Sequence, residues 1–107
     1  MAYWLFIKWR SNIMTTVLIK HPIEDYAKWK NAFDGFIEFR KASGEQSFHV
    51  SRPVDNPNTL VILFEWDSAE NAMAFLDSAD LKNAMQEAGV LGPPEITIME
   101  TATRGNT

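Results

Sequence analysis

The sequence predicts an α+β fold, one four-stranded antiparallel sheet with helices on one face, and three patterns predict it. TLVILFEW at 59–66 is a short strand-length run, apolar on both faces; helical apolar spacing fills the stretch before the second strand; and the order strand, helix, strand, strand, broken helix, strand contains one tight connection, at residues 53–58. A chain of 107 residues, 46% of them hydrophobic, suits a single packed domain.

Residues 15–20, TTVLIK, are rich in β-branched side chains and stop at His21-Pro22, because proline lacks the donor that a central strand needs. Residues 23–42 read as one long helix, with Pro22 at its start, Ile23, Tyr26, Phe33, Phe36 and Ile37 on its apolar side, and Gly44 at its end. Trp29, Ala32 and Phe39 widen that stripe beyond what one sheet face requires.

The second strand, residues 46–52, sets Phe48 and Val50 against Ser47, His49 and Ser51. In the third, Leu60, Ile62, Phe64 and Trp66 take one face, and Val61, Leu63 and Glu65 the other. Both faces are mostly apolar, which marks a central strand. Asp67-Ser68-Ala69-Glu70 opens a second helical unit in the manner of a capping box, with Ala69, Ala72, Met73, Phe75 and Leu76 on its buried side. Residues 77–80 interrupt it, 81–88 resume it, and Gly92-Pro93-Pro94 leads into a last strand at 95–100.

Right-handed crossovers place strands one and three at the centre, the ferredoxin-like βαββαβ arrangement. Its bare sheet face would carry Val17 or Leu18, Val61, Leu63 and Met99, too apolar a set to leave in water. Packing two such faces across a two-fold axis gives a homodimer. Residues 14–103 form this domain and 104–107 a tail. Residues 1–13, MAYWLFIKWRSNI, read as an extension: either Met14 is the true start, or Tyr3 to Trp9 add an edge strand or a sticky arm.

Composition narrows the function. Fourteen acidic against ten basic residues give a net charge of −4, the wrong sign for attraction to nucleic acid or an anionic membrane. Without cysteine there is no disulfide, thiolate nucleophile or cysteine zinc site, and a cytoplasmic location is expected. His21 and His49 have no ligand-like spacing, so no metal is expected. No phosphate-cradling glycine loop, GxSxG elbow or dinucleotide fingerprint is present, so no cofactor is expected.

From Met14 to about Thr101 the chain resembles the dimeric α/β-barrel superfamily, which includes antibiotic biosynthesis monooxygenase-like proteins, haem-degrading monooxygenases and small cyclases. The segments TVLIKHPIEDYAKWKNAFD, VILFEWDSAENAMAFLDSADLKNAMQEAG and GPPEITIME carry the resemblance. It implies a homodimer with a pocket between sheet and helices in each subunit. Two departures stand out. Phe75 occupies the place where many members carry a histidine, and strand one lacks the asparagine that haem-degrading relatives pair with a tryptophan.

Two polar residues are the candidates for chemistry in that pocket. The imidazole of His49 could move a proton from a phenol or enol, as cofactor-free oxygenation or cyclisation requires; otherwise it is a half-exposed strand histidine. Glu65 falls opposite His49 or opposite Ser47, depending on hairpin register, and serves either as its partner or as a bridge across the dimer. His21, Tyr26, Trp29, Phe33, Trp66, Met73 and Phe75 are candidate walls for a flat hydrophobic, aromatic or polyketide-like molecule. Arg40 and Lys41 match the helix dipole and need no functional explanation. The alternative is a noncatalytic ligand-binding, structural or stress-associated dimer.

Overall fold

The computed structural model describes residues 15–107, so the expectations for residues 1–13 lie outside it. Strands β1 (Thr15–Pro22), β2 (Glu45–Ser51), β3 (Thr59–Trp66) and β4 (Glu95–Glu100) form one open antiparallel sheet in the order β2-β3-β1-β4. The expected ferredoxin-like topology is therefore present, with β1 and β3 central. Helices α1 (Tyr26–Gly35), α2 (Ile37–Ser43), α3 (Ala69–Leu76) and α4 (Ala79–Glu87) supply the other layer.

Strand parity decides what each sheet face carries. Val17 and Ile19 of β1 and Leu60, Ile62, Phe64 and Trp66 of β3 point at the helices and are buried with Trp29, Ala72, Phe75 and Leu81. Thr16, Leu18, Val61, Leu63, Glu65 and Met99 fall on the opposite face by the same alternation. Leu18, rather than Val17, is the β1 residue there. Among the described residues, nothing packs over this second face, and Leu63 and Met99 are 39% and 36% exposed.

The first helical segment is not one long helix. Pro22 ends β1, its carbonyl accepting from Leu91 N–H, and Ile23 forms an isolated bridge to Val90. Asp25 caps α1, its carboxylate accepting from the backbone N–H of Lys28 at 2.8 Å. At Phe36 (φ −96°, ψ 5°) the backbone leaves helical geometry, directly after Gly35, a poor helix former. In the second unit Ser68 accepts from Asn71 N–H and Ser78 from Leu81 N–H, so each half has its own cap. The reach-back falls to Asn71, which donates to the Asp67 carboxylate, and not to Glu70.

One glycine is required where it stands. Gly44 ends α2 at φ +128°, and a Cβ there would collide with the Asp67 carboxylate. This tight turn delivers the chain from Arg40 on α2 to Glu45 on β2. A register shift follows between Glu45 and Ser47, after which Ser47 faces Glu65, Phe48 faces Phe64 and His49 faces Leu63.

Candidate functional site

Between the sheet and the helices α1, α2, α3 and α4 lies a cavity of about 60 Å³. That is room for about four or five waters. Ile19, Ile62 and Phe64 form its sheet side, and Phe36, Leu81 and Met85 belong to its helical wall. Trp29 and Phe33, one turn apart on α1, stack with centroids 4.6 Å apart and make an aromatic floor.

Two polar side chains interrupt this apolar lining, one beside each ring. His21 continues the buried parity of Val17 and Ile19; it is 4% exposed, its ring 6.2 Å from Trp29. Arg40 is 2% exposed, with Cζ 3.7 Å above the centre of Phe33. Its Nε donates to Glu45 Oε1 at 2.9 Å and its Nη1 to the Phe33 carbonyl. Both ring nitrogens of His21 and Nη2 of Arg40 are buried without a hydrogen-bond partner among the described residues. Each such group costs about 1–3 kcal/mol. Their joint presence in one lining is the feature that singles out this cavity.

Burial also sets the charges. It lowers the His21 pKa below the ordinary 6.5, so the ring is neutral at neutral pH and offers one acceptor and one donor. Burial raises the Glu45 carboxyl, with the Arg40 charge pulling the other way. A histidine depressed on folding binds fewer protons in the native state than in the unfolded chain. Its contribution to stability is therefore lost as the pH falls from 6.5 toward the folded value, at up to about 1.4 kcal/mol per pH unit. In His21→Phe this contribution is absent, so the stability difference between wild type and variant is expected to be flat above pH 6.5 and to slope below it. Urea unfolding at a series of pH values measures this, and the opposite slope from Glu45 cancels because both proteins carry it. A flat difference through the acid range would mean that the imidazole is solvated.

The sequence-predicted residues divide between the two sides of the sheet. His21, Trp29, Phe33 and Phe75 line the cavity. Tyr26 does not; it stacks beside Trp29 and lies under the Arg52 guanidinium, 4.3 Å from its ring centre. Trp66 is buried against Phe75, centroids 4.9 Å apart, outside the cavity lining. Met73 is 54% exposed, because the helical rotation that buries Ala72 and Phe75 turns it outward.

His49 and Glu65 do not reach the cavity. Phe48 and Val50 face the helices, so alternation sends His49 through to the open face, where its Nε2 lies 3.4 Å from Ser51 Oγ. Glu65 is on that same face, opposite Ser47 and diagonal to His49. Arg40, assigned above to the helix dipole alone, points inward. Its place on the stripe Trp29, Phe33, Phe36, Arg40, at spacings of four, three and four, was the available signal. Among the described residues no three His, Asp or Glu side chains converge as metal ligands do, and no helix is long and apolar enough to cross a membrane.

An α+β ferredoxin-like domain with an apolar, histidine- and arginine-bearing cavity under its helices defines the class. Residues 13–87 match the antibiotic biosynthesis monooxygenase family, and the chain belongs to it. Solved structures agree on the fold. A monooxygenase from the gene ActVA-Orf6 of Streptomyces coelicolor, in complex with nanaomycin D, superposes with TM-score 0.61 at 21% identity, covering 89% of this chain and 91% of that one. SnoaB, a cofactor-independent oxygenase from Streptomyces nogalater, gives TM-score 0.61 at 14% identity over 88% and 95%. A conserved protein from Methanosarcina mazei gives 0.67 at 20% over 86% and 96%. No curated protein matches in sequence.

Proposed function

We propose that the cavity binds a flat hydrophobic molecule, aromatic or polyketide-like, and that the protein oxidises it without metal or flavin while working as a homodimer joined through the open sheet face. The observation that carries this reading is the set of three unpartnered polar atoms on an otherwise apolar wall. A bound phenol would donate its hydroxyl proton to the neutral His21 ring while its own ring covers Trp29 and Phe33. The electron-rich anion then reacts with dioxygen. One oxygen atom enters the ring, the other leaves as water with the two hydrogens lost from the hydroxyl and the attacked carbon, and the four electrons that reduce dioxygen come from the substrate, which becomes a quinone. Family membership and the oxygenases of the same fold support the reaction class.

A second reading has its own support. His21 is the one imidazole or carboxylate on the wall among the described residues, and its lowered pKa makes it a weak base, which suits a noncatalytic binding protein. Thermal unfolding and oxygen uptake with phenol and 1-naphthol separate the two. Binding at a hundred times Kd is expected to stabilise the fold by about 2.7 kcal/mol. Catalysis adds uptake of one dioxygen per quinone formed, lost in His21→Phe and kept in His49→Ala. Stabilisation without uptake selects the binding protein, and no stabilisation by either phenol removes the cavity as a ligand site.

A further inference from the structure

We propose that Arg40 Nη2 is the donor that recognises a neutral carbonyl oxygen of the ligand, and that Glu45, by cancelling the charge of Arg40, makes the cavity refuse carboxylates. This rests on the reading of the cavity as the ligand site. The geometry commits the rest of the guanidinium: Nε to Glu45, Nη1 to the Phe33 carbonyl, and the carbon over the Phe33 ring. Nη2 alone is left as a buried donor without a partner among the described residues, on a guanidinium that forms part of the cavity wall. A donor in that position is satisfied by any oxygen acceptor, so the charge around it decides which ones are admitted.

Arg40 and Glu45 form a closed pair, their side chains 3% and 4% exposed, with no net charge between them. Among the described residues along the wall, the only other group able to carry positive charge is His21, which burial holds neutral. The rings of Phe33 and Phe48, 3.7 and 5.5 Å from Arg40 Cζ, turn π electron density toward it. A carboxylate entering here would add an uncompensated negative charge to an apolar enclosure beside an existing carboxylate, and the desolvation of that charge would go unrepaid. A ketone or quinone oxygen brings no such charge and takes the Nη2 hydrogen bond. The ligand class is thus narrowed from flat hydrophobic compounds in general to flat compounds with a carbonyl group and no acid group.

Acetophenone and benzoate share a ring and a carbonyl and differ in charge, which makes them suitable probes. Titration calorimetry at neutral pH is expected to give acetophenone the tighter binding by on the order of tenfold or more. In Glu45→Gln the positive charge of Arg40 is no longer cancelled, so benzoate is expected to gain about tenfold, to narrow or abolish the preference for acetophenone and to raise the thermal stability of the variant. A purely structural Glu45 would not move that ratio. If the variant does not fold, the wild-type comparison stands, together with the infrared carbonyl band of bound acetophenone, expected at lower frequency than in hydrocarbon solvent. Equal binding of the two probes, a preference for benzoate, an unshifted carbonyl band or a ratio unchanged in Glu45→Gln each overturns the assignment. Binding of phenol and 1-naphthol without either probe overturns it while leaving the cavity's function standing; binding of none of the four overturns both.

Discussion

Arg40→Ala is expected to lose about 3–5 kcal/mol of stability and to be substantially unfolded at physiological temperature. The substitution leaves the Glu45 carboxylate buried with no cation beside it, and removing one partner of a closed ion pair costs that much. It also frees the Phe33 carbonyl and uncovers the Phe33 ring. Against a typical total of about 5–15 kcal/mol, the loss is severe. Glu45→Gln is expected to be milder, about 2 kcal/mol, because the amide oxygen still accepts from Nε and the guanidinium keeps its carbonyl and aromatic contacts. The double variant Arg40→Met/Glu45→Leu removes both charges and is expected to lie within about 1–2 kcal/mol of wild type, since apolar replacement of a buried pair is often neutral. Urea unfolding of these proteins measures each difference, and the single variants Arg40→Met and Glu45→Leu, measured beside their double, close a double-mutant cycle whose coupling energy reports the pair. An Arg40→Ala variant within 1 kcal/mol of wild type would show that the pair is hydrated and that Nη2 has water as its partner.

Strand parity made the sheet legible and left the site only half so. Alternation in β3 assigns Leu60, Ile62, Phe64 and Trp66 to the core, and the structure agrees. The same alternation placed His49 opposite Phe48 and Val50, and it follows that a cavity on the core side is closed to it. His21 was obscured by its neighbour: Pro22 signals a turn, yet Val17, Ile19 and His21 share one parity and one buried face. Arg40 was obscured by a coincidence, since a cation near the end of a helix satisfies the dipole whether it points out or in. Its inward orientation depends on Glu45, and Glu45 is within reach only because Gly44 turns the chain at positive φ. Hairpin register was equally out of reach, because a turn of the length of residues 53–58 allows more than one pairing of the same parity; the structure takes the one that sets Ser47 opposite Glu65. The break at Phe36 is a departure of backbone angles within an uninterrupted apolar stripe, so periodicity alone does not reveal it.

Leu63→Glu is expected to convert the homodimer proposed above into a monomer at micromolar concentration without unfolding it. Leu63 lies at the middle of the open face, on a central strand between Val61 and Glu65 and across from Leu18 and His49. Its side chain is already 39% exposed, so an acidic group there meets water in the isolated subunit and costs the fold little. In a two-fold interface each substitution appears twice, and the new carboxylates join Glu65 on a face where Lys20 already stands across from Glu95. Lost apolar burial and like-charge repulsion together weaken association by about 3 kcal/mol or more, roughly a hundredfold in Kd. Sedimentation should then report half the wild-type mass, with far-ultraviolet circular dichroism unchanged. The cavity lies on the other side of the sheet, so phenol binding should survive. A wild type that sediments as a single subunit would remove the sheet face as an interface, and a Leu63→Glu protein that stays dimeric would move the interface elsewhere on the molecule.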